Sequence, residues 1–156
     1  MANNEQQFKT ELLKDFSASH VYCHAFSVSD RFHSGRPDIY VKHPEFPGTW
    51  LELKFTRLTK DQATKYGVRL LLSPAQRKFL ESQIKAGGAA GWVLCVKMGN
   101  QWALYAGCDP WVERALKDDY VCSRHIGGHW PVMNIMGRIM ERLNEWKQGG
   151  EIRERG

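Results

Sequence analysis

The run Trp50-Leu51-Glu52-Leu53-Lys54-Phe55 constrains this chain more than any other segment. Apolar and polar residues alternate along it, and a strand sends successive side chains to opposite faces. Leu51, Leu53 and Phe55 therefore share one face, while Trp50, Glu52 and Lys54 share the other. The first set defines a core face. The second puts an acid and a base side by side on the reverse of a segment otherwise suited to burial. Upstream, Pro37-Asp38 opens another apolar run, Ile39-Tyr40-Val41, and the Pro- and Gly-containing stretch from His43 to Gly48 suits a hairpin connection. Asp38, Glu52 and Lys54 thus fall at the tips of two adjacent strands. Charges in such a place need a partner, a metal or a chemical task.

The rest of the chain supplies a frame for these strands. Residues from about Glu5 to Phe16 read as a helix, with Phe8, Leu12 and Phe16 on one stripe. His20 to Ser27 reads as a strand and Ser29 to Arg36 as a polar loop. Ser73-Pro74-Ala75-Gln76 is a helix start with three signals: an N-cap serine, a first-turn proline and a glutamine able to close a capping box. That helix runs to about Ala86 and stops at Gly87-Gly88. Gly91 to Lys97 and Gln101 to Ala106 form a hairpin around Gly99-Asn100. The order is α-β-β-β-α-β-β, which predicts an α/β domain with a mixed central β-sheet flanked by helices.

Past Gly107 the pattern weakens. Residues 110–118 read as a short helix after Asp109-Pro110, and 122–130 read as irregular. A final amphipathic helix, about 132–147, carries Ile135, Ile139, Leu143 and Trp146 on one face. That stripe suits either a homodimer seam or packing within one subunit. The expected organisation is one domain over 1–148, with a core at about 5–106, a helical extension over 107–148 and a loose tail at 149–156.

The chain of 156 residues carries a net charge of +5, which mildly favours a polyanionic partner. No apolar run approaches the roughly 20 residues that span a bilayer. The polar start, Met1-Ala2-Asn3-Asn4-Glu5, lacks a signal-peptide core, so a cytoplasmic location with reduced thiols is expected. Arg31 and Arg36 lie just before Asp38, and Arg57, Lys60, Lys65 and Arg69 follow Lys54 in a polar segment with few large apolar anchors. Basic residues around an acidic site suit a phosphodiester substrate; a solvated basic loop is the plain alternative. Cys122-x-x-His125-x-x-x-His129, with Cys108 upstream, has zinc-ligand residue types but no Cys-x-x-Cys half-site. Buried thiols, as for Cys23 and Cys95 inside predicted strands, and surface histidines are the ordinary reading.

Two carboxylates and a lysine suffice for metal-assisted phosphodiester hydrolysis. Carboxylates hold Mg²⁺, and a lysine can orient or deprotonate the attacking water and offset negative charge. Ser34-Gly35-Arg36-Pro37-Asp38-Ile39-Tyr40 followed by Trp50-Leu51-Glu52-Leu53-Lys54 resembles the core motif of the PD-(D/E)XK nuclease superfamily. Ser73-Pro74-Ala75-Gln76 and its helix are similar to the arrangement in virus-type replication–repair nucleases and archaeal-type Holliday junction resolvases. The resemblance covers roughly residues 5–106 and implies a restriction-endonuclease-like core.

By position it implies that Asp38 and Glu52 bind Mg²⁺ or Mn²⁺ with the Leu53 carbonyl, that Lys54 is the catalytic lysine, and that Gln76 approaches from the helix. It also implies a glutamate from the first helix near the metal, for which Glu11 is the candidate. Gln76 has a complete structural role as well, in the capping box. The implied function is a metal-dependent DNA endonuclease in phage or mobile-element replication, recombination or repair. Its partner would be DNA, branched forms included, and two-strand cutting would suit a homodimer. The rival is a non-cleaving nucleic-acid-binding module on the same scaffold, with or without a zinc-stabilised C-terminal region.

Overall fold

The computed structural model describes residues 4–19, 24–27, 39–43, 46–59, 67–125, 128 and 137–143. In chain order these form α1 (Asn4–Ser19), β1 (His24–Ser27), β2 (Ile39–His43), β3 (Phe46–Arg57), β4 (Val68–Arg69), α2 (Pro74–Lys85), β5 (Ala89–Met98), β6 (Gln101–Gly107) and β7 (Arg114–Ala115). A 3-10 turn (Lys117–Asp119), β8 (Tyr120–His125) and a helix over 137–143, here α3, follow. Six strands make one sheet in the order β1-β2-β3-β5-β6-β8, and β4 pairs with β7 in a small second sheet. Only the β3–β5 joint is parallel among these pairings. α2 is the crossover that a parallel joint requires.

The alternation in β3 sorts side chains as expected. Leu51 and Leu53 join Phe8 and Leu12 of α1 and Ile139 and Leu143 of α3 in one buried cluster. On the other face Trp92, Leu94 and Val96 of β5 pack with Leu80 of α2, and Trp50 packs against them. The result is the mixed sheet flanked by helices that the order of elements predicts. Each fully buried leucine contributes about 1.5–3 kcal/mol relative to exposure. α3 closes on β5 at Gly91, where an added Cβ would lie 2.8 Å from Leu143 Cδ2 and 2.7 Å from the Gly107 carbonyl oxygen. A side chain there would push the helix off the sheet.

α2 forms as its sequence predicts. The Ser73 hydroxyl accepts from the Gln76 N–H (3.1 Å) and the Gln76 side chain accepts from the Ser73 N–H (2.9 Å). Three sequence expectations need correction, and the choice left open for the apolar stripe is resolved for Ile139 and Leu143. Residues 110–118 do not form an α-helix, because Asp109 Oδ1 caps the Trp111 N–H in a local turn (2.9 Å) while the Asp109 carbonyl is held by Trp92 Nε1 (3.0 Å). Of the stretch 122–130, residues 122–125 are not irregular but belong to the edge strand β8, registered on β6 from Gln101↔His125 to Tyr105↔Tyr120, and 126, 127, 129 and 130 lie outside the described residues. The segment before α2 is well anchored, since Val68, Leu70 and Leu72 are buried. Finally, Ile139 and Leu143 are buried in their own subunit's core, so this part of the apolar stripe is no dimer seam; Ile135 and Trp146 lie outside the described residues.

Candidate active site

Glu52 is a carboxylate inside the protein, 3% exposed, on the α2-facing side of the central strand β3. Its neighbours across the parallel ladder are apolar, with Trp92 of β5 its direct register partner. Enclosing a carboxylate in such a place costs several kcal/mol unless hydrogen bonds and opposite charge offset it. Both kinds of partner are present. Gln76 Nε2 donates to Glu52 Oε1 over 2.7 Å, and Lys54 Nζ stands 3.4 Å from the same oxygen. Lys54 is half-buried, two residues along the same face of the strand.

The Gln76 side chain makes two hydrogen bonds, one at each end of its amide. Its amide oxygen completes the capping box of α2 while its amide nitrogen reaches Glu52. Helix α2 therefore delivers a hydrogen-bond donor to the carboxylate at a position set by its own first turn. Next to it, Arg77 donates to the carbonyls of Leu70, Leu72, Pro110 and Val112. One guanidinium thus ties the approaches to β4 and β7 to the helix that touches Glu52.

The remaining predicted site residues divide clearly. Leu53 has its side chain in the core and registers with Val93. Arg57, at the end of β3, and Arg69, on β4, are exposed. Asp38, Arg31, Arg36, Lys60 and Lys65 lie outside the described residues. Glu11 is not brought to Glu52, which corrects the expectation for the first helix. Its Oε2 accepts from Arg124 Nη2 of β8, and Arg124 lies over the Trp102 ring at 4.7 Å. Trp102 belongs to the cluster on the opposite face of the sheet from Glu52. Arg77 was not singled out from sequence. No local string marks it, because its partners Leu70, Leu72, Pro110 and Val112 belong to two segments that meet only in the fold.

The groups shown at Glu52 Oε1 are an amide nitrogen and an ammonium, both of which offer protons to the carboxylate. Among the described residues no group of three or more His, Cys, Asp or Glu forms a metal cluster. Glu52 supplies one carboxylate, and Asp38, the other predicted acid, lies outside the described residues. The cysteine–histidine constellation is of another character. Cys108 and Cys122 are buried free thiols whose pKa values burial pushes up to about 12 and about 11. His125 is exposed, and His129 lies outside the described residues.

No protein-family model matches this chain, and no curated protein matches it. Among solved structures it is similar to Hjc, a Holliday junction resolvase of the archaeal hyperthermophile Archaeoglobus fulgidus. The two share 14% sequence identity over 85% of this chain and 98% of that one, with a TM-score of 0.42. No helix of the described residues is long and apolar enough to cross a membrane.

Proposed function

We propose that this chain is a metal-dependent nuclease that hydrolyses DNA phosphodiester bonds. The observation that carries the reading is the buried Glu52 carboxylate, gripped at Oε1 by Gln76 and flanked by Lys54. A structural ion pair on a strand has no need of burial or of a helix-borne donor. A group that must hold a ligand in one orientation needs both.

In this reading Asp38 and Glu52, with the Leu53 carbonyl, hold Mg²⁺ or Mn²⁺. The last pair of the β2–β3 ladder, Ile39↔Leu51, is next in sequence to both acids, which supports their working together. Bound there, the cation would supply positive charge to the phosphate oxygens and help to activate water. Gln76 keeps the Glu52 carboxyl in one rotamer. The Lys54 ammonium orients the attacking water and offsets charge as the phosphorus becomes pentacoordinate. Hydrolysis then forms one P–O bond to the water oxygen and breaks the bond to the leaving sugar oxygen.

The net charge of +5 and the basic residues Arg31, Arg36, Arg57, Lys60, Lys65 and Arg69 suit a DNA backbone. The substrate in this reading is DNA, branched forms included, in phage or mobile-element replication, recombination or repair, in the cytoplasm. A homodimer is the assembly that cutting two strands calls for. The test is nicking of supercoiled plasmid by purified protein with Mg²⁺ and with EDTA. Nicking with Mg²⁺ alone supports the reading. DNA binding without nicking would favour a non-cleaving binding module, and equal nicking in EDTA would exclude the metal.

A further inference from the structure

A cavity of about 200 Å³ opens between the start of β8 and α3, lined by Tyr120, Val121, Arg138, Glu141 and Arg142. β8 lies three strands away from β3 in the sheet order, roughly 15 Å at the usual strand spacing. The α3 wall belongs to the helix whose Ile139 and Leu143 pack on the sheet face opposite Glu52. The cavity is therefore separate from the candidate active site. Two of its side chains are held in place. Arg142 donates from Nε to the Ala106 carbonyl (3.1 Å) and from Nη2 to Asp119 Oδ1 (2.9 Å). Asp119 is itself fixed, because its Oδ2 accepts the Leu116 N–H (2.9 Å). The Tyr120 hydroxyl donates to Ser123 Oγ (3.0 Å), and its ring stands edge-on to Tyr105 at 5.8 Å. That anchored ring is nevertheless 46% exposed. Arg138 and Glu141 are both exposed, at a helical spacing that allows an ion pair. Among the described residues, however, no ion pair joins the two.

We infer that this cavity binds a single nucleotide unit together with its phosphate. Its lining offers three chemistries side by side. Guanidinium forks match phosphate oxygens; Arg138 is the exposed fork, and Arg142 is pinned through Nε and Nη2. A carboxylate accepts from a sugar hydroxyl or a base amino group, the role open to Glu141. An exposed aromatic face takes a stacked base of any identity, because every base has a π-face, and Tyr120 presents one. Inorganic phosphate would use the arginines alone, and a nucleoside would leave them without an anion. A nucleotide engages the arginines, Glu141 and Tyr120 together. At about 200 Å³ the cavity has room for one such unit and none for a duplex. The inference does not rest on hydrolysis at Glu52, since the two sites share no residue. A free nucleotide and the 5′-phosphorylated end of a DNA strand offer the same chemistry.

The experiment is isothermal titration calorimetry with dAMP, inorganic phosphate and deoxyadenosine, in EDTA so that no metal at Glu52 contributes. It compares wild type with Arg138→Gln, Glu141→Gln, Tyr120→Leu and Tyr120→Phe. Wild type should bind dAMP about tenfold or more tighter than either fragment, the scale of one stacking or charge-assisted contact. Arg138→Gln should remove most of the advantage of dAMP over deoxyadenosine. Tyr120→Leu should remove most of its advantage over phosphate, whereas Tyr120→Phe keeps the ring and should bind like wild type. Glu141→Gln should weaken dAMP severalfold. Arg138 and Glu141 are exposed, so their variants should stay folded, which thermal melts check. Single-stranded oligonucleotides with and without a 5′-phosphate separate the two sources. A preference for the phosphorylated strand that is lost in Arg138→Gln supports the cavity and assigns it to a strand end. Equal affinity for both strands, with dAMP still bound, supports the cavity and assigns it to a free nucleotide. Wild type binding dAMP no tighter than the fragments, or unchanged dAMP affinity in folded Arg138→Gln, overturns the inference. Binding lost in Glu52→Ala and kept in Arg138→Gln would place the nucleotide at the candidate active site, which removes the cavity and leaves the nuclease reading standing.

Discussion

Gln76 and Glu52, 24 positions apart, are joined by one 2.7 Å hydrogen bond from the Gln76 amide nitrogen to Glu52 Oε1. The same amide accepts the Ser73 N–H through its oxygen. A primary amide accepts at one end and donates at the other, whereas ionised glutamate, the other usual capping-box residue, only accepts. Gln76→Glu should keep the helix cap yet face Glu52 with a second carboxylate. Ser73→Ala should cost about 1 kcal/mol through the cap alone and leave cleavage near wild type. Gln76→Glu should instead lower the single-turnover cleavage rate by tenfold or more. Denaturant titration and cleavage kinetics on both variants separate the two functions. Equal rates for Gln76→Glu and wild type would mean that the contact to Glu52 is incidental.

Arg77 should matter for a different reason. Replacing it with methionine retains most of the stem but strips donors from four carbonyls. Bonds from a charged donor are worth roughly 1.5–3 kcal/mol each, with some of the loss regained by water. A global cost of about 3 kcal/mol is expected. Amide exchange at Leu70, whose N–H bonds Glu113, should speed up more than exchange in β5. Uniform loss of protection across both would show that the β4–β7 pairing does not depend on Arg77.

How much of this was legible from sequence follows from how local each signal is. The Ser73-Pro74-Ala75-Gln76 start and the alternation in Trp50–Phe55 are local, and α2, β3 and the Glu52/Lys54 face could be read from them. β4 and β7 are two-residue strands that exist only because distant segments meet, so no periodicity announces them. β8 escaped because Arg124, a charge next to its last residue, reads as exposed; its partner Glu11 is 113 residues away. Asp109-Pro110 misled for a physical reason. An aspartate that can cap a helix can equally close a turn, and here its carboxylate takes the Trp111 N–H.

The Glu11–Arg124 pair predicts a clean contrast with Glu52. Glu11 is about one-third exposed and Arg124 nearly buried, at 33% and 7% of their side chains. Glu11→Gln should leave cleavage close to wild type while lowering stability by about 1–2 kcal/mol, below the 3–5 kcal/mol of a fully buried pair. Thermal melts and cleavage rates on the same preparation check this. Loss of cleavage in a variant with normal stability would return Glu11 to the active site.

Alkaline pH should weaken the fold through its buried thiols. Burial raises Cys108 to about 12 and Cys122 to about 11, whereas unfolded thiols titrate near 8.5. Above pH 8.5 the unfolded chain sheds these protons first, so it binds fewer than the native state and stability falls as pH rises. The contribution is fully present below about pH 8.5 and is lost progressively toward pH 11–12. Under reducing conditions Cys108→Ala/Cys122→Ala should therefore show a shallower decline between pH 8.5 and 11 than wild type. Parallel curves would contradict thiol burial, and one zinc per chain by elemental analysis would contradict the protonated state.

The central claim is that Glu52, Lys54 and Asp38 act on a phosphodiester and do not merely stabilise one another. Single-turnover cleavage of a labelled DNA in Mg²⁺, with binding measured in Ca²⁺, tests it on Glu52→Ala, Lys54→Ala and Asp38→Ala. Each variant should lose at least a hundredfold in rate while DNA affinity stays within severalfold of wild type. Glu52→Ala cleaving at the wild-type rate, in protein shown to be folded, would contradict the account at its foundation.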